Sequence, residues 1–344
     1  MNLISMRLLN QQLVSPVFSK PEEVVSHMGA VQAQEYRLMR WAVAMRTKIP
    51  SSKVFKAAYD KGEIIRLHLL RGTWQLIAAE DYWWMLRLCA PKSIAIIKGW
   101  MHSNGIEISD REHDSILDIF GQVVAGKRSV TKDDLVLALA ERGMVMDAHR
   151  LSYHIRLAEL RGFLCSGDLL PMKATYSFAL DKVKPTSGPN GEEALALLAR
   201  KYFQSHSPAT LEDFVWWSGL NISDCRRGIS SLGRERHREW VNGREFLFHD
   251  SCRTRGFRKG HTILLPSYDE YLIGYKSRDV VLAPEHKHYA HNNSGIFYPV
   301  VVRNGRVCGN WKPFGKELSV DFFADGSAEM LSAAWNNYQR FNNR

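Results

Sequence analysis

The feature that most narrows the possible folds of this 344-residue chain is a local pattern that occurs three times: short capped helices followed by two β-prone runs joined at a glycine turn. In the first copy Ser19-Lys20-Pro21-Glu22 supplies a cap, a first-turn proline and an acidic residue at a helix start. Leu38, Trp41, Ala42 and Met45 recur at helical spacing over 36–45, a third helix is expected over 51–59, and a hairpin over 63–77. The second copy opens at Ser109-Asp110, caps helices at Thr131 and Asp147, and ends in two short strands over 162–165 and 174–178. The third runs from a helix over 192–204 through a cap at Thr210, a stop at Gly219 and a further start at Ser223-Asp224. It closes on Glu239-Trp240-Val241 and Glu245-Phe246-Leu247-Phe248 around Asn242-Gly243, a strong short hairpin signal.

Three helices and a hairpin is the order of a winged helix. The expected fold class is therefore α+β, with three tandem winged-helix units over 1–108, 109–181 and 191–257. Residues 182–191, with two prolines and two glycines, read as a linker. Beyond His261 the pattern changes to strands over 262–265, 296–302, 306–311 and 318–323 with a last helix over 328–341, so 258–344 is expected to be a small C-terminal mixed β, barrel-like domain.

The first hairpin is where a surface function would show. With Arg71-Gly72 as a two-residue connection, Leu70 pairs with Thr73, Leu69 with Trp74, His68 with Gln75 and Leu67 with Leu76. One face is then apolar and the other carries Arg66, His68 and Gln75. Upstream, Gln32 and Gln34 are one residue apart. They point the same way only on extended or helix-end backbone, so any cooperation between them happens off a helix terminus.

The formal charge of +10, from 46 Lys and Arg against 36 Asp and Glu, favours an anionic partner such as nucleic acid. Five dispersed cysteines with no CxxC pair argue against a zinc ribbon or a disulfide framework, and a reduced compartment is expected. No apolar run reads as an export signal or a bilayer span. His286, His288 and His291 lack the i, i+4 spacing of a helical zinc pair, so no metal is expected, and with no Walker or dinucleotide glycine fingerprint no cofactor is expected.

Four blocks together resemble a known family: Gln32-Ala33-Gln34, residues 66–76 with Arg71-Gly72-Thr73-Trp74, Pro266-Ser267-Tyr268-Asp269-Glu270-Tyr271-Leu272, and Gly305-Arg306-Val307-Cys308-Gly309-Asn310-Trp311. In this order, and over essentially the whole chain, they are similar to the tandem winged-helix DNA glycosylases that excise N-alkylated purines and unhook interstrand crosslinks. The resemblance implies a catalytic Gln-x-Gln pair at Gln32 and Gln34, a concave DNA-binding face with a probing wing, and monofunctional hydrolysis without a metal. The family commonly has His at the position of Gln75 and Thr at that of Leu67, and this chain departs at both. Arg37, Arg40, Arg66, His68, Arg71 and Gln75 are the expected DNA contacts. Asp269 and Tyr271 are candidates for the lesion pocket, with anchorage of the β domain as the alternative, and Glu270 is read as structural.

The chemistry agrees with that resemblance. An N3- or N7-alkylpurine already carries positive charge, so it leaves as a neutral base with little help from a general acid. Neutral amides can place a water near the sugar without acting as a strong base. The expected partner is double-stranded DNA bearing alkylated purines, bound by a monomer in the nucleoid-containing cytoplasm. The rival reading is a non-catalytic winged-helix DNA-binding protein or transcriptional regulator.

Overall fold

The computed structural model describes residues 2–314, 317–324 and 326–343. The first segment holds helices Leu3–Asn10, Pro21–Met28, Met39–Ala44 and Ser52–Asp60, strand β1 (Val31–Gln32), and the hairpin of β2 (Ile64–His68) and β3 (Trp74–Ala78). Helix Tyr82–Ser103 follows and continues through Pro91. Met85, Cys89, Ile97 and Met101, on both sides of the proline, are buried in one core, and that burial offsets the roughly 3 kcal/mol an internal proline costs.

The second segment has helices Asp110–Val124, Lys132–Ala140 and Ala148–Leu160 with strands β4 (Val130–Thr131), β5 (Leu164–Ser166) and β6 (Thr175–Phe178). The third has helices Gly191–His206, Leu211–Ser218 and Ile222–Ser231 with strands β7 (Arg236–Val241) and β8 (Arg244–His249). Local chemistry sets these starts. Thr131 and Thr210 form capping boxes with Asp134 and Asp213, and Asp147 accepts from the N–H groups of His149 and Arg150. Asn221, rather than the expected Ser223, caps the helix after Gly219 by accepting from Asp224 N.

The three segments share a detail finer than their element order. In each, a residue ahead of the middle helix lies against the second strand of the hairpin: Gln32 pairs with Gln75 and Thr131 with Thr175, and Ala209 bridges Leu247. The first two sheets accordingly have matching orders, β1-β3-β2 and β4-β6-β5.

The C-terminal sheet comprises β9 (Thr262–Leu265), β10 (Val300–Arg303), β11 (Arg306–Phe314) and β12 (Glu317–Phe322) in the antiparallel order β12-β11-β10-β9. It is open, since among the described residues no pairing joins β9 to β12. Leu8, Leu9 and Leu13 from the chain's start share a core with Leu264, Val301, Trp311, and Tyr338 of helix Ser332–Asn343. The beginning and end of the chain therefore bury each other.

The first hairpin departs from the expected register by one residue. The observed partners are Ile65 with Ile77, Arg66 with Leu76, Leu67 with Gln75 and His68 with Trp74. The connection is longer than a two-residue turn: Leu70–Gly72 form a 3-10 turn in which Arg71 and Gly72 both have positive φ, at 57° and 67°. A one-residue slip moves every side chain of one strand to the other face. Gln75 thus shares a face with Leu67, not with Arg66 and His68. Both faces of β2 are buried, one against the long helix and the third segment and the other against the second segment, so the hairpin has no free polar face.

Candidate catalytic site

Gly29, at φ 75°, ends helix Pro21–Met28 and turns the chain into β1, which carries Gln32 along the edge of β3. Ala33 N donates to Trp74 O at 2.8 Å, holding one side of that short strand. On its other side Gln32 N donates to Glu270 Oε1 at 2.7 Å. Glu270 is itself buried, and its Oε2 accepts from Trp217 Nε1 at 3.2 Å and lies 3.4 Å from His206 Nε2. The reading of Glu270 as structural left out this direct bond to the candidate catalytic residue.

Asp269 fixes Glu270 in turn. It caps the one-turn helix Glu270–Ile273 through Tyr271 N at 2.9 Å and takes a bidentate pair from Arg46, with both N···O distances 2.8 Å. Arg46 also donates to Gln11 O, Ala42 O and Gln11 Oε1. Neither charged side chain of the pair reaches solvent, at 0% and 1% exposure. Tyr271 is buried and donates to Gly305 O at 2.8 Å. Asp269 and Tyr271 are therefore committed inside the protein.

The Gln32 side chain is 3% exposed and its Oε1 collects three donors: Gln75 Nε2 at 2.6 Å, Arg71 Nη2 at 3.1 Å and Thr73 Oγ1 at 3.3 Å. Arg71 arrives from the positive-φ turn, and its Nη1 donates to the carbonyls of Trp216 and Trp217, both at 2.9 Å. Burial lowers the Arg71 pKa, and the charge of Glu270 opposes that shift. Gln75, which stands where the resemblance implies His, is 1% exposed and spends its amide on Gln32 Oε1 and Thr73 Oγ1. Gln34 lies two residues on, exposed, with no side-chain hydrogen bond among the described residues.

The remaining expected DNA contacts separate by exposure. Arg37 is exposed, and Arg40 is half-buried with Nη2 donating to Pro171 O. Arg66 and His68 are not at the surface, at 4% and 3% exposure. Arg66 donates from Nε and Nη2 to Ala33 O and lies 3.6 Å above the Trp74 ring, and burial lowers its pKa. His68 Nδ1 lies 2.5 Å from Glu159 Oε2, on helix Ala148–Leu160 of the second segment. Burial pushes His68 well below the usual histidine range and Glu159 up to about 8. Nothing near Glu159 in the sequence signals that partnership, which spans 91 positions.

A cleft of about 610 Å³ lies away from both glutamines, lined by Phe18, Lys201 and the four carboxylates Glu22, Glu23, Glu63 and Glu80, a charge that repels phosphate. Among the described residues no group of three or more His, Cys, Asp and Glu could hold a metal ion, and no helix is long and apolar enough to cross a membrane.

Comparison with known proteins adds three findings. The model of the AlkZ-like DNA glycosylase family matches residues 25–341. An interstrand DNA cross-link repair glycosylase of Streptomyces sahachiroi is 27% identical over 333 residues, covering 93% of this chain and 89% of that protein. The solved structure of Streptomyces sahachiroi DNA glycosylase AlkZ superposes with a TM-score of 0.78 over 99% of this chain and 96% of its own, at 24% identity, a likeness of fold.

Proposed function

The chain belongs to the AlkZ-like DNA glycosylase family and is a DNA repair glycosylase, a hydrolase of N-glycosyl bonds; from that premise we propose that it removes purines made cationic by alkylation and unhooks interstrand crosslinks built on such purines. The last step of this reading is drawn from the Streptomyces sahachiroi relative, whose name specifies crosslink repair. The rival reading, a non-catalytic regulator, is not favoured by this membership.

In this reading Gln32 and Gln34 are the catalytic pair. The observation that carries it is the contrast between them: one amide is clamped by three donors at the edge of β3, while the other stands exposed two residues away. A clamped group can orient the lesion nucleotide, and a free acceptor can hold the attacking water over the anomeric carbon. The departing base is neutral once the bond breaks, so no protonated acid is required. Exposed Arg37 and half-buried Arg40 sit on the same stretch and are assigned to the phosphates. Arg66 and His68 support the hairpin from within and do not contact DNA directly.

The architecture in this reading is three tandem winged-helix units followed by a small C-terminal β domain. The shared pairing of Gln32, Thr131 and Ala209 against their hairpins supports the threefold repeat. The protein acts as a monomer on DNA in the nucleoid. The test is release of N7-methylguanine from duplex DNA, followed by scission at the abasic sites. Wild-type protein is expected to release the base and Gln32→Ala and Gln34→Ala to be at least about 10²-fold slower. Equal background release by all three proteins would refute the assignment.

A further inference from the structure

We infer that Arg71 is a positioning residue that fixes the Gln32 amide with its oxygen inward, so that Gln32 meets the lesion nucleotide as a hydrogen-bond donor and the acceptor role falls to Gln34 alone. This rests on the proposed assignment of the two glutamines and goes beyond it by giving them opposite roles.

The orientation follows from chemistry. An amide oxygen and nitrogen have nearly the same shape, but a guanidinium can only donate. The Gln32 terminal atom 3.1 Å from Arg71 Nη2 must therefore be the oxygen. Gln75 Nε2 and Thr73 Oγ1 converge on the same atom, at 2.6 and 3.3 Å. With Oε1 saturated, Nε2 has no partner among the described residues, and it is not among the fully buried unpaired polar atoms. It is the polar end that Gln32 offers outward.

Arg71 has little freedom to do otherwise. Its Nη1 is held by the Trp216 and Trp217 carbonyls at the end of helix Leu211–Ser218, and its backbone lies in the left-handed region at φ 57°. Gly219, at φ 71°, allows the turn to approach: a Cβ there would come within 3.0 Å of Arg71 Cγ and 3.2 Å of Arg71 N. The third segment's helix end, the hairpin turn and β1 thus meet at one guanidinium, and that contact decides which end of the amide faces the DNA.

Gln32→Glu separates donor from acceptor. The carboxylate keeps the acceptor toward Arg71 but presents only an acceptor outward. A donor role predicts that single-turnover release of N7-methylguanine falls about 10²-fold, the scale for removing one oriented donor, as in Gln32→Ala, with the affinity for lesion DNA held within about threefold. A rate equal to or above wild type would overturn the inference, because an outward acceptor would then suffice. Arg71→Met is the second variant: with the guanidinium gone both amide orientations become accessible, and kcat is expected to fall about two- to tenfold at unchanged KM. Unchanged kcat in a folded Arg71→Met protein would equally overturn it. If Gln32→Ala is already as active as wild type, the catalytic assignment itself has failed. If Gln32→Ala is inactive and Gln32→Glu is active, only the donor role has failed.

Discussion

Substitution of Asp269 tests whether the buried Arg46–Asp269 pair is scaffold or site. Asp269→Asn keeps the shape and a capping oxygen, but it leaves the Arg46 guanidinium charged and uncompensated in a place with no access to water. Breaking such a pair from one side costs about 3–5 kcal/mol. Unfolding entropy is about 2.1 cal/mol/K per residue, so a chain of 344 residues that melts as one unit gains about 0.7 kcal/mol/K, and the loss corresponds to a melting temperature lower by about 4–7 °C. Differential scanning calorimetry at neutral pH measures it. The double variant Arg46→Met, Asp269→Leu is expected to recover more than half of the loss, since replacing both charges removes the unpaired ion while keeping the volume filled. An Asp269→Asn melting temperature within 1 °C of wild type would refute the reasoning, and a large loss of glycosylase rate without a stability change would return Asp269 to the lesion pocket.

Three other outcomes follow from the geometry. His113 Nδ1 faces His154 Nδ1 at 3.1 Å while His154 Nε2 lies 3.2 Å from Glu112 Oε1, so one proton serves the facing nitrogens, and protonation of His113 must occur at its buried, unpartnered Nε2. Burial lowers His113 from 6.5 to about 4, so the unfolded chain binds more protons between those values: this contribution is complete above pH 6.5 and is lost as the pH falls toward 4, and His113→Leu should flatten the acid limb of a urea-denaturation series. For Glu159 the sign is opposite: the folded protein holds its proton up to about 8 against an ordinary 4.5, so stability falls as pH rises across that window, and Glu159→Gln should gain a few kcal/mol relative to wild type at pH 9 and little at pH 4. Arg37→Ala is expected to lower the slope of log affinity against log salt by about 1 in a DNA-binding titration, whereas Arg66→Ala should leave that slope unchanged and reduce stability.

Legibility in the sequence tracked the range of the interactions concerned. The hairpin around Asn242-Gly243, the capping boxes at Thr131 and Thr210 and the stop at Gly219 are set by residues within a few positions, and the structure has them where local chemistry puts them. For Gln32 the spacing to Gln34 left extended and helix-end backbone open, and the structure has Gln32 in a two-residue strand. The register of the first hairpin was not legible, because Arg71 adopts a left-handed conformation that its side chain does not advertise and that its contacts to Trp216 and Trp217 help hold. Arg66 and His68 look like surface chemistry in a strand considered alone. Their burial is imposed by Ala33 and by Glu159, the latter 91 positions away. A proline at 91 leaves an end or a bend of the helix open, and the shared core on both sides of it carries the helix on.

The bond from Gln32 N to Glu270 reaches across 238 positions, and the helix end that braces Arg71 lies 145 and 146 positions downstream of it. A ribosome must therefore reach Glu270 before the strand bearing Gln32 acquires its second anchor. Nascent chains and proteolytic fragments ending short of that point lack the Glu270 bond to Gln32 N. The strand that carries Gln32 is thus held on both sides only after the third segment and the Glu270 turn have been made.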